Sequence, residues 1–142
     1  MGTHALSNIW SPRLLGLLRI VSGFMLMQHG AQKLFGVLDA PHGAAPIFSQ
    51  MGLGGIIEFF GGLLILVGLL TRPVAFLLSG TMAVAYFQFH APNGFWPVVN
   101  QGELAAIYSF LFLYMTAAGA GAWSVDSILK TRKALETEPV AA

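Results

Sequence analysis

The chain has 142 residues, of which 56% are hydrophobic and only 9% are charged, and its formal net charge is +1. Soluble domains carry about 25% charged residues, so this composition excludes an ordinary soluble protein and indicates an integral membrane protein with one compact domain. The lack of cysteine excludes thiol redox chemistry and thiolate metal sites within the chain, and no basic stretch interleaved with aromatic residues indicates a nucleic-acid partner.

The first predicted helix covers about residues 13–35 and is long enough to cross a bilayer. Residues 14–35 would extend about 33 Å, against a hydrocarbon core of roughly 30 Å. Ser11 and Pro12 predict its start, as N-cap and first helical residue. Polar groups such as Arg19 are costly inside a membrane unless they face protein or a cavity. This helix therefore requires partner helices.

Three further helices are predicted, at about residues 53–70, 73–90 and 102–121. Glycine and proline mark the connections between the first and second helices and between the third and fourth. After the fourth helix, residues 124–142 form a short polar tail that is partly helical. The sequence thus predicts an all-α fold, with residues 1–142 forming a single four-helix transmembrane bundle and its tail.

Four spans place both termini and the turn between the second and third helices on one side of the membrane. That side carries most of the cationic residues, namely Arg13, Arg72, Lys130, Arg132 and Lys133. The opposite side carries only Lys33. The positive-inside rule therefore predicts cytoplasmic termini for a multi-pass protein of the bacterial inner membrane.

Glycines spaced by seven residues form two series, Gly16, Gly23 and Gly30 on the first helix and Gly54, Gly61 and Gly68 on the second. A step of seven residues drifts by only about 20° around a helix, so each series makes a stripe along one face. Small residues allow helix backbones to approach closely in lipid. Both stripes are therefore predicted to be packing seams.

Seven polar side chains are predicted to share one level in the outer half of the membrane: His29, Gln32, Lys33, Glu58, Gln88, His90 and Glu103. They are candidates for ligand binding or proton exchange. We expect Lys33 to pair with Glu58, either to fix the register of two helices or to serve a ligand. Arg19 lies near the opposite level, so backbone carbonyls, lipid phosphates or a residue near Asp126 are its expected partners.

Two other residue types on these helices suggest further chemistry. His29 and His90 suggest a metal or haem site that bridges two helices, because imidazole is a ligand for zinc, copper and haem iron. The alternative is that His90 is simply a residue at the membrane interface. Tyr108 and Tyr114 are further candidate hydrogen-bond donors to the polar level or to a ligand.

Motifs in the first two helices resemble those of DoxX-like membrane proteins. The first helix carries Arg19 within LLR and then HGAQKLFG, which runs from His29 to Gly36. The second is similar in its Glu58, the glycines that follow and the Arg72–Pro73 turn. The resemblance covers roughly residues 13–122 and implies a four-helix inner-membrane protein. Relatives include a subunit of a thiosulfate:quinone oxidoreductase and proteins linked to complexes with soluble redox enzymes.

The leading hypothesis is a quinone-linked subunit of a membrane oxidoreductase, or a binding protein for a small lipophilic ligand, with its polar site in the outer half of the bundle. The sequence does not identify a cofactor; a quinone is one candidate, and haem or a metal is the alternative. The expected partners are the lipid bilayer, a soluble or membrane-bound redox protein and further copies of the chain. Two other hypotheses are a small transporter built from oligomers and a scaffold whose basic tail docks a soluble partner or anionic lipid.

Overall fold

A computed structural model describes residues 3–137 of the chain, and every regular element in that range is helical. The six α-helices are α1 (Thr3–Phe35), α2 (Gln50–Val67), α3 (Thr71–Ala85), α4 (Pro97–Asn100), α5 (Glu103–Ala118) and α6 (Val125–Thr137). A π-helical turn at Tyr86–His90 and a 3-10 turn at Ala91–Asn93 continue α3. The predicted all-α class is therefore confirmed.

Among the described residues, three segments are long and apolar enough to cross a membrane: Asn8–Phe35, Gln50–Val67 and Thr71–Asn93. Helix α5 is also apolar, but its 16 residues extend only about 24 Å. The first three predicted spans thus correspond to long apolar helices, and the fourth corresponds to a shorter one.

Several predicted helix boundaries were wrong. Helix α1 begins at Thr3 and runs through Pro12, although Ser11 and Pro12 were expected to start it. Proline removes one backbone hydrogen bond and crowds the carbonyl four residues earlier, which favours a place in the first turn, but its fixed φ is helical and α1 continues through Pro12. Helix α2 begins at Gln50 rather than near residue 53, because Ser49 is its N-cap and accepts a hydrogen bond from the N–H of Gly52.

Helices α1 and α2 pack with their backbones in direct contact. A Cβ atom at Gly23 would lie 2.6 Å from the backbone nitrogen of Leu66, and one at Gly62 would lie 2.8 Å from the carbonyl oxygen of Gly23. No side chain larger than hydrogen fits at either position without moving a backbone. The glycine stripe on α1 is therefore a packing seam, as predicted.

The predicted stripe on α2 does not form a single seam. A Cβ at Gly54 would meet nothing within 4 Å, whereas one at Gly61 would lie 2.9 Å from the side chain of Leu78 on α3. Gly68 ends the helix in the left-handed conformation, with φ of 71°. The α2 residues against α1 are instead Gly55 and Gly62, because the face toward α1 lies one residue further round the helix.

Helices α3 and α5 form a second close pair. The hydroxyl of Ser79 donates to the carbonyl of Ser109 at 2.8 Å, and the hydroxyl of Ser109 donates back to the carbonyl of Ser79 at 3.1 Å. Such reciprocal bonds hold helices together where lipid offers no competing water. The buried core between the pairs includes Leu26, Ile65, Leu78, Phe112 and Met115.

The two helix pairs are joined at one end by Arg19, whose side chain is fully buried. Its Nη1 donates to the carbonyls of Ile65, at 2.7 Å, and Leu66 at the end of α2. Nε and Nη2 donate to the carbonyls of the segment between α5 and α6, at residues Ala120, Ala122 and Trp123. The prediction that Arg19 binds backbone carbonyls is confirmed. We call this group of contacts the Arg19 cluster.

Helix α6 closes the same end through Asp126. Its carboxylate accepts hydrogen bonds from the backbone N–H groups of Leu70 and Thr71, both at 2.9 Å, so it caps α3 from another helix. Burial alone would raise the pKa of Asp126, but these two hydrogen bonds and the charge of Lys130 outweigh it and lower the pKa below its ordinary value. This residue therefore stays ionised down to acidic pH.

Candidate functional site

A cavity of about 1160 Å³ separates the two helix pairs at the end opposite the Arg19 cluster. Helices α1, α2, α3 and α5 all contribute to its wall. Most of the wall is apolar. The polar side chains on it are His29, Lys33, Gln50, Glu58, Ser79, Thr81, His90, Gln101 and Tyr108.

The ion pair between Lys33 and Glu58 forms the charged part of this cavity. Lys33 Nζ lies 2.5 Å from Glu58 Oε1, which confirms the predicted pairing. Because α2 begins at Gln50, Glu58 lies about 12 Å along that helix. Glu58 is 3% exposed and the side chain of Lys33 is 28% exposed, so the acid is the deeper partner.

Two buried polar atoms on the cavity residues have no hydrogen-bond partner among the described residues. They are Glu58 Oε2 and the hydroxyl oxygen of Tyr108, and Tyr108 is only 4% exposed. Leaving a buried polar group unpaired costs about 1–3 kcal/mol, and more when it is charged. His29 lies on the same wall. Within the described chain, Glu58 and Tyr108 therefore each retain one unpaired polar atom beside the cavity.

The cavity wall ends in an apolar edge. Leu53, Phe76 and Leu77 belong to the wall, yet at least half of each of them is exposed. A Cβ at Gly54 or Gly80, both also on the wall, would meet nothing within 4 Å. The cavity is thus open along a surface without charge, and its polar groups lie behind that surface.

Of the seven predicted site residues, the structure brings four to the cavity: His29, Lys33, Glu58 and His90. The other three lie off its wall. Gln32 donates to the carbonyl of Leu38 at 2.8 Å, Gln88 accepts from Gln50, and Glu103 is exposed at the start of α5. Glu103 was expected at the polar level because it begins a helix, but it is exposed and does not line the cavity.

His90 lies in the π-helical turn at the mouth of the cavity. Its Nδ1 lies 3.1 Å from the carbonyl oxygen of Asn100, and its ring stacks on Tyr86 with centroids 6.5 Å apart. His29 and His90 share the cavity wall, but the described residues contain no group of three histidine or acidic side chains placed to hold a metal. The hypothesis of a bridging metal thus stands on two histidines alone.

Sequence reasoning missed several polar residues of the wall, among them Gln50, Ser79 and Gln101. Gln50 lies before the predicted start of the second helix, so it was assigned to a loop. Ser79 and Gln101 are uncharged, so nothing in the sequence marked them as residues of a polar site. The N-cap at Ser49 is the one local feature that would have moved Gln50 into the helix.

Comparison with known proteins places the chain among membrane proteins. The profile of the DoxX family matches residues 14–91, which is more than half of the chain. This chain belongs to the DoxX family. An uncharacterized protein of Haemophilus influenzae is 42% identical over 123 residues, covering 83% of this chain and 92% of that protein. Inner membrane protein YqjF of Escherichia coli is 30% identical over 123 residues, covering 80% and 90%.

The chain is therefore an inner-membrane protein of the DoxX family, as the sequence predicted. The DoxX match contains His29, Lys33, Glu58 and His90, and it ends before Tyr108 on α5. No solved structure shows a significant match to the chain.

Proposed function

We propose that this DoxX protein binds a small lipophilic molecule with a polar head group, of which a quinone is the leading candidate, and serves as a subunit of a membrane redox system. The observation that carries the proposal is Glu58 Oε2, a buried carboxylate oxygen without a partner among the described residues, on the wall of a cavity of about 1160 Å³. Ligand pockets commonly measure about 300–1,000 Å³, so this one has room for a head group and part of a tail.

The proposal requires that the apolar edge of the cavity faces lipid. We propose that α5 is a fourth span, which completes a four-helix transmembrane domain with both termini in the cytoplasm. Helix α5 pairs with α3 along its length, and its outward side chains Ile107 and Phe110 are 63% and 73% exposed. Exposed apolar side chains of this size on a packed helix are suited to lipid rather than water. A lipophilic ligand would then enter from the membrane itself.

The arrangement matches what a quinone requires. A polar head group needs hydrogen-bonding partners, which Lys33, Glu58, His29 and Tyr108 offer on one wall. A polyprenyl tail needs an apolar exit, which the edge at Leu53 and Phe76 offers. The chain has no cysteine, so electrons would have to reach the ligand from a partner protein. A redox partner is therefore part of this proposal, and the exposed α6 is a candidate surface for it.

The test is to identify and titrate the ligand. The protein is purified from its native membrane, its bound lipids are extracted, and quinones are sought by mass spectrometry. A short-chain benzoquinone is then titrated into delipidated protein. We expect a quinone to copurify and the titration to saturate at one site per chain. A protein that carries only bulk phospholipid and shows no saturable binding of the probe would contradict the proposal.

Variants locate the site within the chain. Glu58→Gln and Lys33→Met each disrupt the ion pair, and we expect at least about tenfold weaker binding of the hydroquinone form of the probe from the loss of one charged hydrogen bond. Glu103→Gln is the matched control, because Glu103 is an exposed carboxylate off the cavity wall. Unchanged binding in both ion-pair variants would place the ligand elsewhere and leave the pair a purely structural role.

A further inference from the structure

We infer that the cavity selects head groups that carry a hydroxyl donor, so that it binds the reduced quinol more tightly than the oxidised quinone. The inference rests on the proposed function and adds which form of the ligand the site prefers. It follows from the hydrogen-bonding capacity that the two partners of the ion pair leave unused.

One carboxylate oxygen of Glu58 has no partner within the described chain, and it can only accept a hydrogen bond. In its ion pair with Lys33 it is a carboxylate, and a carboxylate has no proton to donate. Oε1 is taken by Lys33, and Oε2 is buried with no partner among the described residues. A ligand that reaches Oε2 must therefore bring a donor, or it leaves a buried charge unsatisfied.

The quinone and the quinol differ in this one property. A quinone carries carbonyl oxygens, which only accept, so a quinone oxygen placed at Oε2 sets two acceptors against each other. A quinol carries hydroxyl groups, one of which can donate to Oε2. The hydroxyl of Tyr108, which has no partner within the described chain, can either donate or accept and so accommodates both forms.

The ammonium of Lys33 admits both forms. It has three N–H groups, one of which is directed to Glu58. Its other N–H groups can donate to a quinone carbonyl or to the hydroxyl oxygen of a quinol, so they exclude neither form. The preference for the quinol therefore arises at Glu58 Oε2, which only a hydrogen-bond donor can satisfy.

The size of the effect follows from the bond that the quinone cannot make. A hydrogen bond to a charged group corresponds to between about tenfold and a hundredfold in affinity. Sites built to bond a hydroxyl also reject analogues that lack it, because the buried protein group is then left unpaired. A tenfold preference for the quinol would raise the midpoint potential of the bound two-electron couple by about 30 mV.

The experiment compares three probes with the same short tail under anaerobic conditions: a benzoquinone, its hydroquinone and the dimethyl ether of that hydroquinone. The ether keeps the ring and oxygens of the hydroquinone but has no donor. Binding to the delipidated, full-length wild-type protein is measured by titration calorimetry. We expect the hydroquinone to bind at least tenfold more tightly than either of the other two. Equal or tighter binding of the quinone or the ether would overturn the inference.

Two variants test whether the preference for the hydroquinone arises at Glu58. Glu58→Gln replaces the acceptor with an amide that can donate, so we expect the preference for the hydroquinone to disappear. Tyr108→Phe removes a group that serves both forms, so we expect weaker binding with the preference retained. The wild-type series does not depend on either variant folding.

The outcomes also separate this inference from the proposed function. Equal affinity for all three probes, lowered by Glu58→Gln, would overturn the donor requirement and leave the lipophilic site standing. Failure of all three probes to bind would overturn both. Loss of the preference in Tyr108→Phe with its retention in Glu58→Gln would overturn the assignment to Glu58.

Discussion

Each end of the helix assembly contains a cationic side chain bonded within the protein, and the two are satisfied in different ways. At one end, Arg19 donates to five backbone carbonyls and has no unused N–H group. At the other end, Lys33 binds one oxygen of Glu58, a residue of the cavity wall, and the second oxygen is buried without a partner in the described chain. The first arrangement is complete within the protein, and the second is not.

This difference separates a side chain whose hydrogen bonds are complete from an ion pair that retains an unpaired oxygen among the described residues. The guanidinium of Arg19 connects α2 to the segment between α5 and α6 and so fixes how the two helix pairs meet. At the other end the helices diverge, and the polar groups that line the gap retain bonding capacity. Four predictions test this contrast, from the largest expected effect to the smallest.

Replacing Arg19 should have the largest effect. Arg19→Met leaves five carbonyls without their donor, and unpaired buried groups cost about 1–3 kcal/mol each before relaxation. We expect little folded protein after extraction in mild detergent, measured as the monodisperse fraction in size-exclusion chromatography. Arg19→Lys should rescue part of it, because an ammonium keeps three donors.

The control for Arg19 is Arg13 on the same helix. Arg13 is exposed and lies 5.7 Å over the ring of Trp10, so Arg13→Met removes a charge without a buried bond. We expect its yield and elution to match those of the wild type. Similar losses in both variants would show that total positive charge, rather than the Arg19 cluster, governs folding.

At the opposite end, a double-mutant cycle should show a smaller effect with strong coupling. Lys33→Met leaves a buried carboxylate unpaired, and Glu58→Gln leaves an ammonium that is partly exposed. We therefore expect Lys33→Met to cost more stability, about 2–3 kcal/mol, and the double variant to recover much of it. Thermal unfolding in detergent measures all four proteins. Additive losses would mean that the two residues do not act as a pair.

Glycines on one helix provide a third comparison. A Cβ at Gly68 would lie 2.5 Å from Ser124 Cβ and 2.9 Å from the guanidinium carbon of Arg19, and φ there is positive. Gly68→Ala should therefore cost about 1–2 kcal/mol from the backbone alone, and more from the displaced Arg19.

Gly54→Ala is the matched variant at the cavity end of the same helix. Its Cβ would meet no protein atom within 4 Å, and alanine favours a helix over glycine by about 0.5–1 kcal/mol. We expect a slightly raised unfolding temperature. Destabilisation by Gly54→Ala equal to that by Gly68→Ala would show that the wall of the cavity is as tightly packed as the Arg19 cluster.

The smallest effect is expected from acid. The pKa of Asp126 is lowered in the folded protein, so its cap stabilises the fold fully above the unfolded value of about 4. That contribution is lost as the pH falls through the folded pKa. Hydrogen exchange of α6 should show protection that declines below about pH 4 in the wild type and is already low in Asp126→Asn. Glu136→Gln, an exposed carboxylate on α6, should leave the decline unchanged.

Much of this contrast could be predicted from the sequence, because the positions of side chains along the predicted membrane helices can be estimated by counting residues. Counting residues along the helices placed Lys33 and Glu58 at one level and Arg19 at the other. From these levels we expected Lys33 to pair with Glu58 and Arg19 to bind backbone carbonyls, among other partners. Depth along a helix is set by a fixed rise per residue, so it survives errors of a few residues in the helix boundaries.

The direction in which a side chain points was less predictable. Glu103 and Gln32 share the level of the cavity but do not face it, and the stripe at Gly54 faces open space rather than α1. A rotation of one residue shifts a side chain by about 100°, and the sequence does not say which neighbour lies on which side. Tyr108 was among the candidate donors, but its unpaired hydroxyl became evident only with α5 in place.

The bonds of Arg19 also have a consequence for how the protein is made. Its partners in the segment between α5 and α6 lie about a hundred residues later in the chain, whereas Glu58 follows Lys33 by 25 residues. At about 5–20 residues per second, the ribosome takes roughly 5–20 s to synthesise that interval. During this time only Ile65 and Leu66, among the final partners of Arg19, have been synthesised. Arg19 can therefore complete its five hydrogen bonds only after the segment between α5 and α6 has left the ribosome.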